Sequence, residues 1–339
     1  MTDTKRIDLA LQGGGAHGAF TWGVLDRLLE EPRIEIEGIS GTSAGAMNAV
    51  VIADALVRGD ETTARSALHD FWAAVSRAGM ASPIRRSPLD VWLGNWSLDH
   101  SPGYIALDLM SRLVSPYQFN PLNVNPLRQV VADHVDFERV RACRSLKLFV
   151  TATNVHSGKQ RVFSREEMSV DAVMASACLP FVFQAVEIEG EPYWDGGYMG
   201  NPALLPLMEA CSARDIVLVQ INPLMRRELP TTASDILNRL NEITFNASLI
   251  KEVRLVAMLQ KLAEEHDIPL PGYRDALFHR ISADEALADL SVSSKLNAEW
   301  PFLCHLRDRG RESAEAWLEA HFDDLQNRST LDVESVYLH

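Results

Sequence analysis

Apolar and polar positions follow two alternating periods along the first sixty residues of the chain. Residues 7–11 (IDLAL) form an apolar run of strand length, ended by the glycines Gly13, Gly14 and Gly15. From 19 to 31, Phe20, Val24, Leu25 and Leu28 recur at helical spacing and so share one face; Pro32 then stops the helix. Residues 34–39 alternate Ile and Glu before the glycine at 38, a strand pattern, and lead into GTSAG at 41–45. Residues 44–57 read as a helix apolar on nearly all sides, hence buried. Strand, helix, strand, helix in this order predicts an α/β fold with a mainly parallel sheet and right-handed crossovers.

The pattern loosens between 79 and 126, where Pro83, Pro88, Trp92, Trp96, Pro102, Pro116, Pro121 and Pro126 leave little periodicity. Such a stretch predicts loops and short helices laid over the sheet, a candidate lid or cap. Strand character returns at 146–153 and 160–163. A helix over 170–177 ends before Pro180, and short strands at 185–188 and 192–194 lead to DGG at 195–197. The run IVLVQIN at 216–222 has the continuous apolar character of a central parallel strand. A long helical pattern spans 233–265, a late strand covers 277–281, and helices are expected near 284–300 and 311–325. With no internal repeat, this reads as one large α/β domain carrying an insertion at 79–126, with a mainly helical C-terminal region over 226–339 packed on it.

Charge narrows the possible partners. The formal net charge is -14, which argues against a nucleic-acid footprint, since that requires clustered Lys and Arg. Peripheral contact with a membrane or lipid aggregate would have to be apolar or local, for instance through Arg85 and Arg86 beside Trp92 and Trp96. Cys143, Cys178, Cys211 and Cys304 are scattered without CxxC pairs or metal-ligand spacing, so reduced thiols and no metal are expected. The N-terminus carries no secretory pattern, and the longest apolar stretch, 172–186, contains Ser176, Pro180 and Gln184. A cytoplasmic protein of unspecified oligomeric state is the expectation.

The candidate chemistry lies in three glycine-rich turns. GTSAG fits a nucleophile elbow, G-x-S-x-G between a strand and a helix. There Gly41 and Gly45 allow the tight turn, Ser43 projects its hydroxyl, and the following helix offers N–H groups to an anion. GGGAHG at 13–18 admits two readings. As G-x-G-x-x-G (Gly13, Gly15, Gly18), with Glu35 or Glu37 near the offset of a ribose ligand, it matches a dinucleotide loop. Beside a serine elbow, it is a loop of free N–H groups able to hold a tetrahedral oxyanion, and that reading is preferred because a dinucleotide fold has no use for the serine. Serine needs a base. None of His17, His69, His100, His134, His156 or His279 lies in a recognisable motif after a strand. Asp195 in YWDGGYMGNP does, followed by Gly196 and Gly197. A Ser–His–Asp triad using His279 or another late histidine stays open as an alternative.

GGGAHG, GTSAG and DGG, in that order, resemble the patatin-like phospholipases, as do GTSAGAMNAV and ASACLPFVFQAV at 175–186; the resemblance covers roughly residues 5–225. It implies a three-layer α/β/α fold and a Ser43–Asp195 dyad, with an oxyanion held by the Gly13, Gly14, Gly15 and Ala16 loop. It further implies hydrolysis of lipid acyl esters without cofactor or metal, with an acyltransferase on the same dyad as the nearest alternative. The family usually carries Arg or Lys just before the last glycine of the first motif. This chain has His17, only partly charged at neutral pH, so the expected substrate is an acyl ester rather than strictly a phospholipid.

Overall fold

The computed structural model describes residues 4–226, 229–270, 272–273 and 275–338. In chain order the elements are β1 (Lys5–Leu11), α1 (Gly18–Leu28), β2 (Ile34–Gly41), α2 (Ala44–Arg58) and α3 (Glu61–Gly79). The loop-rich insertion then carries α4 (Pro88–Trp92), α5 (Pro102–Leu113) and α6 (Pro116–Phe119). After it come α7 (Pro126–His134), α8 (Phe137–Ala142), β3 (Lys147–Asn154), β4 (Gln160–Ser164), α9 (Val170–Ser176), β5 (Val186–Ile188) and β6 (Glu191–Asp195). The chain finishes with α10 (Leu205–Ala210), β7 (Asp215–Gln220), α11 (Ala233–His266), β8 (Leu277–Ser282) and α12 (Trp300–His321).

Among the described residues, one sheet contains all eight strands, in the order β5-β6-β3-β2-β1-β7-β8, with β4 also paired to β3. The pairs β1–β2, β1–β7, β2–β3 and β7–β8 are parallel; β3–β4, β3–β6 and β5–β6 are antiparallel. Side chains leave a strand on alternate faces, and β1 and β7 sort accordingly. Ile7, Leu9, Leu11, Val217 and Val219 join a core with α1, α2, α3, α9 and α12, whereas Ala10, Ile216 and Leu218 join one with α10 and α11. The fold is therefore a helix–sheet–helix sandwich around a mostly parallel sheet. Helix α2 is buried from Ala44 to Ala55, as its apolar circumference requires.

The C-terminal region both extends the sheet, through β8 beside β7, and covers it, through α12 against α1. Arg311 of α12 pairs with Asp26 of α1 and with Glu30 just beyond it, and Arg27 pairs with Glu315. Residues 284–300, expected as a helix, instead form turns and a short 3-10 segment, Val292–Leu296. The reason is local: Ser294 Oγ donates to the Ser291 carbonyl and Asn297 Oδ1 accepts from Glu299 N–H, so side chains compete with a helical backbone. The helix expected at 311–325 begins earlier, at Trp300, where Pro301 occupies its first turn. Helix α3, not singled out by periodicity, is capped by Asp60, which accepts from Thr63 N–H at 3.0 Å. Among the described residues, no helix is long and apolar enough to cross a membrane.

Candidate active site

In the parallel register Leu11 pairs with Gly41, so β1 and β2 leave the sheet at the same level and their two glycine turns meet side by side. That is the carboxyl edge of the strands, where open α/β sheets place their ligands. The turns touch closely: a Cβ on Gly13 would lie 2.7 Å from Ser43 Cβ and 2.8 Å from the Thr42 carbonyl oxygen, so only glycine fits there. Gly15 has φ +60°, a second position that favours glycine. Ser43 itself sits at φ 53°, ψ -119°, a conformation a side chain adopts only under strain of about 1–3 kcal/mol. The elbow is locked by Gly45 N–H to the Thr42 carbonyl, 2.9 Å, and by Ser43 N–H to Ser176 Oγ, 2.9 Å. Gly41 and Gly45 pack where a Cβ would strike the backbone of α2 and β1 respectively, and Gly18 packs against Ala44.

Register also explains how Asp195 reaches Ser43. Along one edge of β3, Lys147–Val150 pair with β2, and from Ala152 onward the same edge pairs with β6, with Ala152 opposite Asp195. As β2 turns away into the elbow, β6 takes its place, and the end of β6 arrives beside the serine. The following segment is stitched to the elbow by Thr42 Oγ1 donating to the Gly200 carbonyl, 2.7 Å, and Ser40 Oγ donating to the Ala203 carbonyl, 2.6 Å. Asp195 is 1% exposed. Its Oδ1 accepts from Gly197 N–H at 2.7 Å, and Gly196 fits closely over Thr151 and Thr42. Burial pushes the carboxyl up to about 7, against the opposing hydrogen bonds from Gly197 N–H and the Ser43 hydroxyl. A carboxylate held beside a strained serine and poised near neutrality has the properties of a general base.

Residues 9–210 match the sequence profile of the patatin-like phospholipases. The chain belongs to the patatin-like phospholipase family. Membership implies lipid acyl hydrolysis as the class of activity. No curated protein matches the chain. Among solved structures, this patatin-like chain is similar to VipD from Legionella pneumophila, at 14% identity and TM-score 0.45, covering 99% of this chain and 73% of VipD. It is also similar to the type III effector ExoU, at 14% identity and TM-score 0.37, covering 96% of this chain and 54% of ExoU. Full-length ExoU of Pseudomonas aeruginosa in complex with SpcU is similar at 13% identity and TM-score 0.31, covering 94% of this chain and 53% of that one.

The remaining sequence candidates separate clearly in this patatin-like site. Gly13 N–H donates to Asn201 Oδ1 at 2.7 Å, so Gly13 shapes the loop and has no N–H left for a ligand, contrary to its expected share in the oxyanion loop. His17 is buried, with Nε2 2.8 Å from Ser294 Oγ, and burial first, then the charges of Lys295 and Arg226, lower its pKa well below the usual value. It is a neutral structural residue. Glu35 pairs with Arg6, and Glu37 with Lys147. Both lie back along β2 from Gly41, at roughly 20 and 13 Å by strand rise, so neither is a ribose ligand for the Gly13–Gly18 loop. His279 Nε2 meets Asp215 Oδ1 at 2.9 Å and Nδ1 meets Thr330 Oγ1 at 2.9 Å, on β8 three strands from the elbow. Both nitrogens are occupied away from Ser43, which removes the triad alternative through His279.

Several contributors lie where sequence motifs carry no signal. Phe245 of α11 packs edge-on against Tyr198 beside the Asp195 turn, ring centroids 5.0 Å apart. Gln12 Nε2 donates to Asn246 Oδ1 and to the Asn201 carbonyl, while its Oε1 accepts from Asn222 N–H at 2.9 Å. The basic patch divides: Arg86 pairs with Glu299 at 2.6 Å and covers Trp96, whereas Arg85 and Trp92 are exposed. The 79–126 insertion is tied beside the site, with Gln184 Nε2 donating to the Asn120 carbonyl at 2.8 Å and Ala185 N–H to Tyr117 Oη at 3.2 Å.

Proposed function

We propose that the protein hydrolyses acyl esters of lipid-like substrates through an acyl-enzyme on Ser43, with Asp195 as the base. Asp195 takes the hydroxyl proton as Ser43 Oγ bonds to the ester carbonyl carbon. The N–H groups of Gly14, Gly15 and Ala16 hold the resulting oxyanion. Collapse breaks the ester C–O bond, and the alcohol leaves with the proton from Asp195. Asp195 then deprotonates a water that cleaves the acyl-enzyme, releasing the acid and restoring Ser43.

The observation that carries this reading is the pairing of a serine at φ 53° with a carboxylate that burial lifts to about 7. Substrate choice rests on the exposed apolar surface of the insertion. Leu113 is 74% exposed and Leu122 84%, both in the insertion, together with Trp92 at 81%. Such a surface suits an acyl chain or the face of a lipid aggregate. Four unpaired cysteines fit a cytoplasmic location. An acyl-ester panel of graded chain length tests the reading: turnover by wild type, lost in Ser43→Ala and in Asp195→Asn, is expected. Absence of turnover of every ester by folded wild type contradicts it. Adding alcohol or thiol acceptors separates hydrolysis from acyl transfer, since a transferase forms the new ester or thioester at the expense of free acid.

A further inference from the structure

The C-terminal region places one ammonium group against the back of the glycine loop. The backbone of Val292–Leu296 abuts that loop so closely that a Cβ on Gly15 would lie 2.5 Å from the Lys295 carbonyl oxygen. From there Lys295 Nζ donates to Asn222 Oδ1 at 2.8 Å. Asn222 is buried, and its Nδ2 donates in turn to the Gly13 carbonyl at 2.7 Å and to Gln12 Oε1 at 3.2 Å. The carbonyl of Gly13 belongs to the same peptide unit as the N–H of Gly14. A continuous path of hydrogen bonds therefore runs from an ammonium, through one amide side chain, into a peptide bond of the loop.

Charge around Lys295 does not quench it. Glu242 is held by Arg226 at 2.8 Å and Arg239 at 3.1 Å, and His17 is neutral. The direct partner of the ammonium is thus a neutral amide. Hydrogen bonds in series polarise one another, more so at low local dielectric. An ammonium on Asn222 Oδ1 makes Asn222 Nδ2–H a stronger donor, and this draws electron density from the Gly14 N–H toward the Gly13 oxygen. Such a gain matters most when charge develops on the substrate oxygen, because it then favours the transition state over the bound ester.

We propose that Lys295 is a positioning residue for acyl transfer: acting through Asn222, it fixes and polarises the Gly13–Gly14 peptide so that the Gly14 N–H meets the developing oxyanion. The proposal rests on the reading of Gly14 as an oxyanion donor given above. Both Lys295 and Asn222 lie outside the 9–210 match to the family, so chain beyond the matched residues completes a site whose motifs lie within them. Burial, with Arg226 assisting and Glu242 opposing, brings Lys295 down to about 8, so the ammonium is lost within an accessible pH range.

The test is steady-state kinetics from pH 6 to 10 on wild type, Lys295→Met, Lys295→Arg, Asn222→Ala and the Lys295→Met/Asn222→Ala double variant, with a soluble short-chain ester. Wild-type kcat is expected to fall as pH rises through about 8. Lys295→Met should lower kcat on the order of tenfold at pH 7, less than the loss of a direct oxyanion donor, with KM within about twofold and no alkaline fall. Lys295→Arg, which cannot deprotonate, should restore most of kcat without the alkaline fall. The double variant should be no slower than Asn222→Ala, because the two residues act in one path. Unchanged kcat and pH profile in Lys295→Met overturns the proposal, as does full additivity in the double variant. Should Lys295→Met not fold, an alkaline fall retained by Lys295→Arg overturns it instead. Wild type without any turnover removes the underlying reading, an outcome distinct from turnover that is indifferent to Lys295.

Discussion

Asp195, at the end of β6, and Asp8, inside β1, are each 1% exposed, and burial pushes the carboxyl of each up to about 7. Their surroundings differ. Asp8 faces the Cys211 thiol and Gly38 beneath α10, with Glu37 raising it further and Lys147 lowering it. It meets no nucleophile in a strained turn and no glycine loop. Asp195 stands where β6 replaces β2 along β3, against Ser43 and at the carboxyl edge of the sheet. A raised carboxyl pKa records burial; a catalytic role needs the neighbouring serine and donors as well.

The largest expected difference between the two is in turnover. Asp195→Asn should lower kcat by about a thousandfold or more, the scale on which loss of a base acts in such machinery, while Asp8→Asn stays within about twofold. A comparable loss in both would erase the distinction.

Next in size is the pH profile. The base must be ionised, so kcat/KM should rise about tenfold per pH unit up to about 7, ahead of the alkaline fall through about 8 that loss of the Lys295 ammonium brings. Asp8→Asn should leave this acid limb in place. Its disappearance in that variant would assign the limb to the wrong aspartate.

Stability gives a smaller effect that the two should share. A carboxyl raised from 3.8 in the unfolded chain to about 7 in the folded one favours folding fully below about 4, and that contribution is lost as pH rises through 7. At pH 8 each aspartate is ionised at a cost, so Asp8→Asn and Asp195→Asn should each stabilise by about 1–3 kcal/mol. At pH 4 that gain should vanish. Thermal melts at the two pH values decide it, and a gain of equal size at pH 4 would contradict the linkage. The smallest expected effect on turnover belongs to His279→Gln, within about twofold in kcat, since His279 contacts Asp215 and Thr330 rather than the serine.

Much of this site could be read from the chain because it is built from local signals. A strand ending in glycines, a serine elbow between strand and helix, and an aspartate before two glycines each carry their geometry within a few residues. The parallel register of β1 and β2 then brings the first two together. What escaped is non-local. Asn201 takes the Gly13 N–H, Asn222 takes its carbonyl, and Asn246 braces Gln12 from α11, across separations that no motif spans. His17 was legible as a departure, but its neutrality follows from burial against Ser294, which the sequence does not display. The serines near 291–294 misled the helix expectation because their side chains satisfy the backbone and one another locally.

The central claim is that Ser43 is the nucleophile and Asp195 its base. It is tested most directly by treating folded protein with a fluorophosphonate and mapping the adduct by mass spectrometry. A single adduct on Ser43 is expected, absent in Ser43→Ala, unaffected in rate by Asp8→Asn and slowed by orders of magnitude in Asp195→Asn. An adduct on another serine, or labelling of Ser43 at the same rate in Asp195→Asn as in wild type, would contradict it.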